Sequence, residues 1–497
     1  MPPIEFRLEN FRIFEDSGWL PLSSLTCVVG RNSSGKSSII TALLLLKQSI
    51  ENEVFGSAIT PLALSGQYCD LGQFRDVVHN HKESSEVSFS FRVPIDSLYE
   101  PLSRSAPSLV ALATPRVSRL GQFSYRTFII DEPKFALGSS VSLRLTFSAD
   151  EPFGPSLSAC EFTFENEGTI RFLRTINGQR RQHWRTYGTG KIPKPFLFRP
   201  TTRSFFPAIF LRDRSAKDLS EQENTAAQEI FQLCRNYFSF VESLLARSEM
   251  IGPFRQPPER RYTFAGFGAS RSGPSGEQAI DLLITEALVK KGAQPLIKSV
   301  GYWLKELKLI DSLRIRDVAK KLNLFEVDVK LGGRAIRSNL ADVGFGVSQV
   351  LPVIVQGLLM QRGGIYFVQE PEIHLHPDAQ AALADFFIFL AFQGVTSIVE
   401  THSEYLLLRL RRRLAEASRP SSRVLPRLRG YRSGLSSQDV SFLFSHSDRS
   451  DAGITQLEIG PGFQFENLPT GFMSQITDDR MHLLKAASKA RKAKKKA

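Results

Sequence analysis

Apolar and polar positions alternate along the chain in a way that predicts strands interleaved with helices. Residues 4–29 mix apolar and polar positions and end in a largely apolar stretch at 25–29, which predicts short strands followed by a buried one. Helical periodicity follows at 38–50 and returns near 218–250, 277–308, 347–360 and 378–390, with further apolar strands at 324–331 and starting at 364 and 395. This alternation predicts a parallel sheet that is covered on both faces.

The middle of the chain has a different pattern. Residues 86–210 are rich in Phe, Val, Thr and Ser, with turn signals between the apolar runs. Asn177-Gly178 separates two such runs and is a typical hairpin turn. We therefore expect an inserted β-rich lobe here.

The net charge of +13 comes from 63 basic and 50 acidic residues. Residues 485–497 contain seven of the positive charges and no acid, so the rest of the chain is near +6 (13 − 7). A basic tail of this kind is either a solvated, disordered arm or a contact for nucleic acid.

The cysteines exclude two classes of protein. Cys27, Cys69, Cys160 and Cys234 are far apart and form no CxxC pair, which argues against a zinc site or a disulfide framework.

The N-terminus lacks the pattern of a secretory signal, and no apolar run reaches membrane-spanning length. The sequence predicts a cytoplasmic protein without a membrane segment.

The strongest chemical signal is the sequence GRNSSGKS at Gly30–Ser37, which fits the P-loop pattern G-x-x-x-x-G-K-S/T. In such a loop backbone N–H groups cradle phosphate oxygens, Lys36 contacts the β and γ phosphates, and the Ser37 hydroxyl ligates Mg²⁺. The alternative is a glycine turn with an accidental lysine. The predicted strand before the loop and helix after it favour the P-loop, and hence binding of ATP.

Three further elements carry candidate chemistry. Gln369-Glu370 ends an apolar strand, where an acid can polarise water or hold a metal. His402 follows another strand in the sequence ETHS, and LADVGFGVSQ at 340–349 precedes an apolar helix. Each one alone is also compatible with an ordinary strand end, a structural histidine or a helix cap. Their occurrence together, in this order, is much more specific.

This order resembles the ABC-type ATPases of the SMC and OLD-like group, in which a Walker A loop, a long insertion, a signature loop, Walker B and a histidine switch follow one another. Several stretches are similar to a bacterial branch of ATPases with a C-terminal domain of unknown function; they include NFRIF, IGPFRQPPERRY, EPEIHLHPDAQAALADFF and VETHSEYLLLRLRRRL. Relatives in this broad group occur in anti-phage systems, among them the ATPase subunits of PARIS and Septu.

The resemblance implies an α/β fold, an ABC-type ATPase head with a mostly parallel sheet and a β-rich plus helical insertion. It implies nucleotide contacts from Arg12, Gly30, Asn32, Ser33, Gly35, Lys36, Ser37 and Ser38. Asp342, Gly344 and Gly346 would form the signature loop that presses on the γ-phosphate bound by another subunit, so the chain is expected to form a head-to-tail dimer or a higher oligomer. Glu370 would be the catalytic base and His402 the switch. Gln67 and Gln73 both remain candidates for the Q-loop glutamine, and Arg255 and Arg260 have no assigned role.

One position departs from the pattern of this group. Gln369 stands where Walker B has an aspartate, so the metal site would consist of Ser37 and a neutral amide. Losing this charge predicts weak retention of Mg²⁺ and slow hydrolysis. The alternative is that Glu370 or Glu372 takes the metal role.

The predicted organisation has five parts: residues 1–85 as an N-terminal ATPase lobe, 86–276 as the inserted lobe, 277–432 as a C-terminal ATPase lobe, 433–484 as a C-terminal subdomain and 485–497 as the basic tail. No nuclease-type E…DxD arrangement follows His402, so a separate effector protein is expected. Basic stretches at 171–203 and 409–432 are either charged surfaces of the fold or contacts for nucleic acid or an acidic partner.

Three functions remain open at this stage. The first is a regulatory ATPase of a bacterial defence system that controls an effector. The second is a DNA-maintenance or repair ATPase of the SMC-like group that binds DNA directly, although the chain lacks the long heptad coiled coils of SMC proteins. The third is an ATP-dependent scaffold with negligible turnover.

Overall fold

The computed structural model describes most of the 497-residue chain. The described residues are 3–54, 61–81, 86–99, 139–150, 154–176, 182–192, 198–201, 205–211, 220–264, 266, 269–289, 292–319, 322–333, 336–418, 435–448 and 451–467.

The elements follow one another in three groups. The first contains β1 (Ile4–Phe11), β2 (Phe14–Asp16), β3 (Leu20–Leu22), β4 (Leu25–Gly30), α1 (Lys36–Val54), α2 (Phe74–Val77), β5 (Val87–Pro94) and α3 (Ile95–Tyr99). The second contains β6 (Ser140–Asp150), β7 (Gly154–Phe164), β8 (Gly168–Ile176), β9 (Gln182–Gly188), β10 (Phe198–Thr201), β11 (Ala208–Leu211), α4 (Glu221–Ala246), β12 (Glu249–Ile251) and β13 (Tyr262–Thr263). The third contains α5 (Ala279–Val289), α6 (Pro295–Glu306), β14 (Ser312–Ala319), β15 (Leu324–Lys330), β16 (Arg337–Asn339), α7 (Phe345–Leu359), β17 (Ile365–Gln369), α8 (Pro377–Phe392), β18 (Thr396–Glu400), α9 (Glu404–Ala417), β19 (Val440–Asp448) and β20 (Asp451–Gln456).

A six-stranded sheet in the order β12-β17-β18-β4-β19-β20 forms the centre of the fold. All its pairings are parallel except the last, between β19 and β20. Successive residues of its strands alternate between two cores: Phe367 packs in the core with α1 and α4, whereas Val368 packs in the core with α5 to α9. The predicted α/β fold, with a mostly parallel sheet covered on both faces, is therefore confirmed.

The β-rich part of the chain extends a sheet that begins at the N-terminus. Strands β5 to β9 continue antiparallel from β1, in the order β2-β1-β5-β6-β7-β8-β9. Phe6 and Phe91 on the adjacent strands β1 and β5 have ring centroids 4.9 Å apart, and both are buried. The division predicted at 85/86 thus falls inside one sheet, because the apolar faces of these strands share a core with α1 and α4.

The main sheet also recruits strands from outside the two predicted ATPase lobes. β12, from the predicted insertion, pairs with β17 at one edge. β19, from the predicted C-terminal subdomain, lies beside β4, with Val440 opposite Leu25 and Ser445 opposite Gly30. Alternate residues of β19 enter both cores, which explains its place inside the sheet. The basic tail at 485–497 lies outside the described residues.

Local predictions agree with most elements. β8 and β9 pair antiparallel as the predicted hairpin, while its Asn177-Gly178 turn lies outside the described residues. The predicted helix at 277–308 is two helices, α5 and α6, and Pro295 begins the second because proline suits the first turn but not a helix interior. In the described part of the chain, no helix combines the length and apolar character needed to cross a bilayer.

Candidate nucleotide-binding and hydrolysis site

The P-loop lies between the buried strand β4 and helix α1, as the sequence predicts. Gly30 has φ 147°, and a Cβ there would lie 2.2 Å from the carbonyl oxygen of Ser445 on β19. Gly35 has φ 92°, and its Cβ would lie 2.1 Å from the Ile13 side chain. Both positions therefore require glycine for the backbone conformation and for the space around it.

Lys36 is buried at the start of α1, with its ammonium group turned onto the loop. Nζ donates to the carbonyl oxygens of Gly30 at 3.1 Å and Arg31 at 2.7 Å. Burial lowers the pKa of Lys36, while the charges of Glu400 and Glu370 act in the opposite direction. The lysine is thus held at the mouth of the loop. A bound phosphate group would take the place of the two carbonyl oxygens as its hydrogen-bond partner and would add a negative charge.

The carboxyl ends of β4, β17 and β18 meet beside the P-loop because the three strands are parallel neighbours. Gln369 lies opposite Glu400 in the register of β17 and β18. The Gln369 amide Nε2 donates to Glu400 Oε2 at 2.8 Å, and the Ser37 hydroxyl donates to Glu400 Oε1 at 2.7 Å. Glu400 is only 4% exposed, so a buried carboxylate links Gln369 at the end of β17 to the P-loop serine.

Glu370 follows directly in a left-handed conformation, with φ 46°. Its N–H donates to the Glu400 carbonyl at 2.8 Å. Nη2 of the buried Arg255 donates to the carbonyl oxygens of Gln369 at 2.7 Å and Glu370 at 3.2 Å. A non-glycine residue in this region persists only where its surroundings impose it, and these contacts supply that constraint.

Arg255 now has a structural role that its sequence context did not reveal. Burial lowers the pKa of its guanidinium to about 10, against the opposing influence of nearby Tyr366, Glu372 and Glu370. Its Nε and Nη1 atoms are buried without a hydrogen-bond partner. Burying a cation without enough hydrogen-bond partners costs folding free energy. The stability of the surrounding fold must therefore offset the cost of keeping Arg255 against the Glu370 backbone.

His402 lies across the cavity on the loop after β18. Glu372 Oε1 accepts hydrogen bonds from the His402 N–H at 2.6 Å and from the Thr401 hydroxyl at 2.8 Å. Burial, followed by the charge of Lys36, lowers the pKa of His402, so the imidazole is mostly neutral near pH 7. Glu372 Oε1 therefore positions the histidine loop, whereas its Oε2 is buried without a hydrogen-bond partner.

A cavity of about 470 Å³ collects most of the predicted site residues. It is lined by Arg12, Ile13, Asn32, Ser33, Gly35, Lys36, Ser37, Ser38, Glu370, Glu400 and His402. Arg12 reaches it from a left-handed turn after β1 that is anchored by a bond from its N–H to the Val77 carbonyl at 2.7 Å. Gln67 and Gln73 do not line this cavity, so neither is identified as the Q-loop glutamine.

The candidate signature loop lies elsewhere: Asp342, Gly344 and Gly346 do not line the cavity. Gly344 caps α7 and has nothing within 4 Å of an added Cβ, and the next residue, Phe345, is 61% exposed. Asp342 forms an ion pair with Arg260, including a bond of 3.0 Å from Nη1. The N-terminus of α7 is thus presented at the surface on a loop that Arg260 holds.

The described arginines of the basic stretch at 409–432 are engaged within the fold. Arg409 and Arg413 on α9 both pair with Asp385 on α8. Arg411 donates to the Phe463 carbonyl at 2.6 Å, and Arg412 pairs with Glu416. For the described part of this stretch, the contacts favour a charged surface of the fold over a free nucleic-acid patch.

Sequence reasoning missed two functional candidates, Glu400 and Arg255. Glu400 belongs to the ETHS sequence, in which only the histidine was assigned a role. A charged residue at the end of an otherwise apolar strand was the available signal, because a buried carboxylate requires partners.

Comparison with known proteins agrees with this geometry. Residues 4–102 and 295–407 match the family model described as the AAA ATPase domain, and these segments contain the P-loop, Gln369-Glu370 and His402. No curated protein sequence matches the chain significantly. The match and the geometry together support a P-loop ATPase.

Solved structures of Smc heads are similar over most of the chain at low identity. A complex of the Smc head with the C-winged helix domain of ScpA has 11% identity and a TM-score of 0.43, covering 93% of this chain and 99% of that chain. An Smc head with an extended coiled coil, bound to the C-terminal domain of ScpA derived from Pyrococcus furiosus, has 10% identity and a TM-score of 0.40, covering 92% and 97%. The SMC head domain from Thermotoga maritima has 10% identity and a TM-score of 0.35, covering 92% and 100%.

Proposed function

We propose that the chain binds ATP in the P-loop cavity, hydrolyses it there, and uses the nucleotide state to regulate a separate effector protein. The observation that carries the ATPase proposal is the gathering of Lys36, Ser37, Glu370 and His402 around one cavity, from elements far apart in the sequence. Phosphoryl transfer requires mainly positioning and charge stabilisation, which such an arrangement supplies.

Each residue takes a role that its contacts support. Lys36 exchanges its loop carbonyl partners for the β and γ phosphates, while loop N–H groups hold the phosphate oxygens. Glu370 orients the attacking water and accepts its proton, on a backbone that Arg255 and Glu400 fix. Neutral His402 donates a hydrogen bond to the γ-phosphate. Mg²⁺, for which Ser37 and its carboxylate partner form a suitable oxygen donor set, would neutralise charge on the β and γ phosphates.

A second copy of the chain is part of the proposal. The N-terminus of α7 and its Gly344 do not line the chain's own cavity, yet they are open at the surface. A helix N-terminus favours anions through its free N–H groups and dipole. We infer that ATP bound in one copy is contacted by α7 of another, in a head-to-tail dimer or a higher oligomer.

Anti-phage defence is the setting that the resemblance to the ATPase subunits of PARIS and Septu suggests, with the chain as the sensor or scaffold subunit. The alternative is an SMC-like DNA-maintenance ATPase. DNA binding by this alternative would need a free basic surface. On α9, Arg409 and Arg413 are instead paired with Asp385 inside the fold. Pull-down of the chain with the products of neighbouring genes, in ATP and in ADP, tests the first setting, and a nucleotide-dependent partner is expected. DNA binding that persists at physiological salt without such a partner would instead support the alternative.

Calorimetric titration with ATP tests the site itself. Lys36→Ala removes a charge-assisted contact and is expected to weaken ATP affinity at least about tenfold, with the melting temperature little changed. Lys308→Ala is the matched control, because Lys308 is an exposed lysine that forms a surface ion pair with Asp378, outside the cavity. Equal ATP affinity in the natural protein and the Lys36 variant would overturn the P-loop assignment.

A further inference from the structure

A buried carboxylate on β18 changes the chemistry expected of the metal site. From the sequence, the neutral side chain of Gln369 indicated a metal site that lacks one negative charge. The structure places Glu400 beside it, on the neighbouring strand, with its two oxygens bonded to the Ser37 hydroxyl and the Gln369 amide. We propose that Glu400 is the acidic Mg²⁺ ligand of this ATPase and that Gln369 is the positioning residue that holds it; the inference rests on the proposed ATP site.

The distances fit this assignment. Mg²⁺ binds oxygen at about 2.0–2.1 Å in octahedral geometry, so two adjacent ligands lie about 2.9 Å apart. The Ser37 hydroxyl and Glu400 Oε1 are 2.7 Å apart in the structure. The pair therefore has nearly the spacing of one edge of the octahedron, and a small separation would admit the ion. Mg²⁺ commonly uses one or two carboxylates together with substrate phosphates, and this site supplies one.

Gln369 is oriented as a donor to Glu400. Its Nε2 faces the carboxylate, while its Oε1 lies toward Gly252 at the end of β12, where a Cβ would come within 3.9 Å of it. In this orientation the amide nitrogen, and not the amide oxygen, contacts Glu400. An aspartate at 369 would instead place a second carboxylate beside Glu400. Such like charges disfavour ionisation of both groups. The glutamine instead offers an N–H donor to a carboxylate oxygen of Glu400, which is nearly excluded from solvent.

The other acids near the site have different partners or positions. Glu372 Oε1 is used by Thr401 and His402. Glu370 has its backbone fixed one residue after the end of β17 and lines the cavity as the candidate base. Among the residues that the structure describes, no cluster of three or more His, Cys, Asp or Glu side chains forms a metal site. A single carboxylate acting with Ser37 and ATP is consistent with that result.

The test compares the Mg²⁺ dependence of ATP binding in four proteins. They are the natural chain, Glu400→Gln, the double variant Gln369→Asp/Glu400→Gln, and the control Glu404→Gln. Glu404 lies four residues after Glu400, at the start of α9, and does not line the cavity. Binding is measured by calorimetry in EDTA and across a Mg²⁺ titration. Electron paramagnetic resonance of Mn²⁺ in the ATP complex reports directly on the metal ligands.

Glu400→Gln should still bind ATP in EDTA, because Lys36 and the backbone of the P-loop are unchanged. The Mg²⁺ concentration needed for half of the binding effect should rise at least about 10- to 100-fold, because loss of even a supporting partner of a metal ligand costs that much in metal affinity. The double variant returns the carboxylate to β17 and should recover most of that loss. Glu404→Gln should behave as the natural chain does.

An unchanged Mg²⁺ dependence and Mn²⁺ spectrum in Glu400→Gln would overturn the inference while leaving the ATP site intact. Absence of ATP binding by the natural chain would instead refute the proposed function. If Glu400→Gln fails to fold, Glu400→Asp retains the charge but withdraws it by one methylene. The same rise in Mg²⁺ requirement is then expected, and its absence counts against the proposal.

Discussion

Glu372 offers a test of how the histidine loop is held in place. Its Oε1 accepts two hydrogen bonds, from the His402 N–H and the Thr401 hydroxyl, and the carboxylate is buried. Glu372→Ala leaves one buried donor, the Thr401 hydroxyl, and one partly buried donor, the His402 N–H, without an acceptor. Glu372→Gln keeps one oxygen that can accept both bonds. The two variants therefore separate the hydrogen bonds from the charge.

The size of the effect follows from these contacts. An unsatisfied buried donor costs about 1–3 kcal/mol and a partly buried one less, so Glu372→Ala should lose about 1–4 kcal/mol before relief of the buried charge. Burial raises the pKa of Glu372, although its hydrogen bonds act to lower it. A raised pKa means that the associated stability is complete below the unfolded value of 4.5 and is lost as pH rises through the folded pKa. Glu372→Gln should therefore gain relative to the natural protein between pH 5 and pH 8.

Thermal melting across this pH range and steady-state ATPase kinetics provide the measurements. Glu372→Ala should melt several degrees lower and show a reduced kcat, because the His402 loop is no longer fixed. ATP affinity and Mg²⁺ dependence should change little. If Glu372→Gln instead removed hydrolysis or raised the Mg²⁺ requirement as strongly as a change at Glu400, Glu372 would be a metal ligand or base and this reasoning would be wrong.

Two further predictions concern the elements around the site. Arg255→Lys keeps the charge, but its single ammonium group cannot reproduce the planar contact with both carbonyls. We expect kcat to fall about tenfold at unchanged KM. An unaltered kcat would show that the Arg255 hydrogen bonds are not needed to position the Glu370 backbone. Gly344→Arg should fold normally, because nothing lies within 4 Å of an added Cβ, yet should block ATP-dependent self-association in light scattering. Assembly that proceeds unchanged in that variant would contradict a composite site.

The local patterns of the sequence were sufficient for the P-loop and for most helices and strands. An apolar strand, a glycine-containing turn and a periodic helix are encoded within about 25 consecutive residues at 25–50, and the side-chain chemistry of Lys36 and Ser37 follows from that context. The alternation of such units also predicted the parallel sheet. These features depend only on residues that are neighbours along the chain, so they can be predicted from the sequence without knowledge of the fold.

The partners of the strands were decided only by the tertiary structure. β19 enters the main sheet beside β4 from more than 400 residues away, and β5 to β9 extend the sheet begun by β1. Nothing in the pattern of one strand specifies which distant edge it will pair with, because that choice depends on burying both faces against elements brought together by the fold.

The same reason explains why the proposed role of Glu400 could not be inferred from sequence. Gln369 considered alone suggests a missing charge. Its strand neighbour Glu400 supplies a carboxylate, and Ser37, 363 positions away along the chain, meets that carboxylate at 2.7 Å. The sequence determined which residues end the buried strands. Only the register of β4, β17 and β18 determined that these ends meet, because parallel strands bring their carboxyl termini to one edge whatever their separation in sequence.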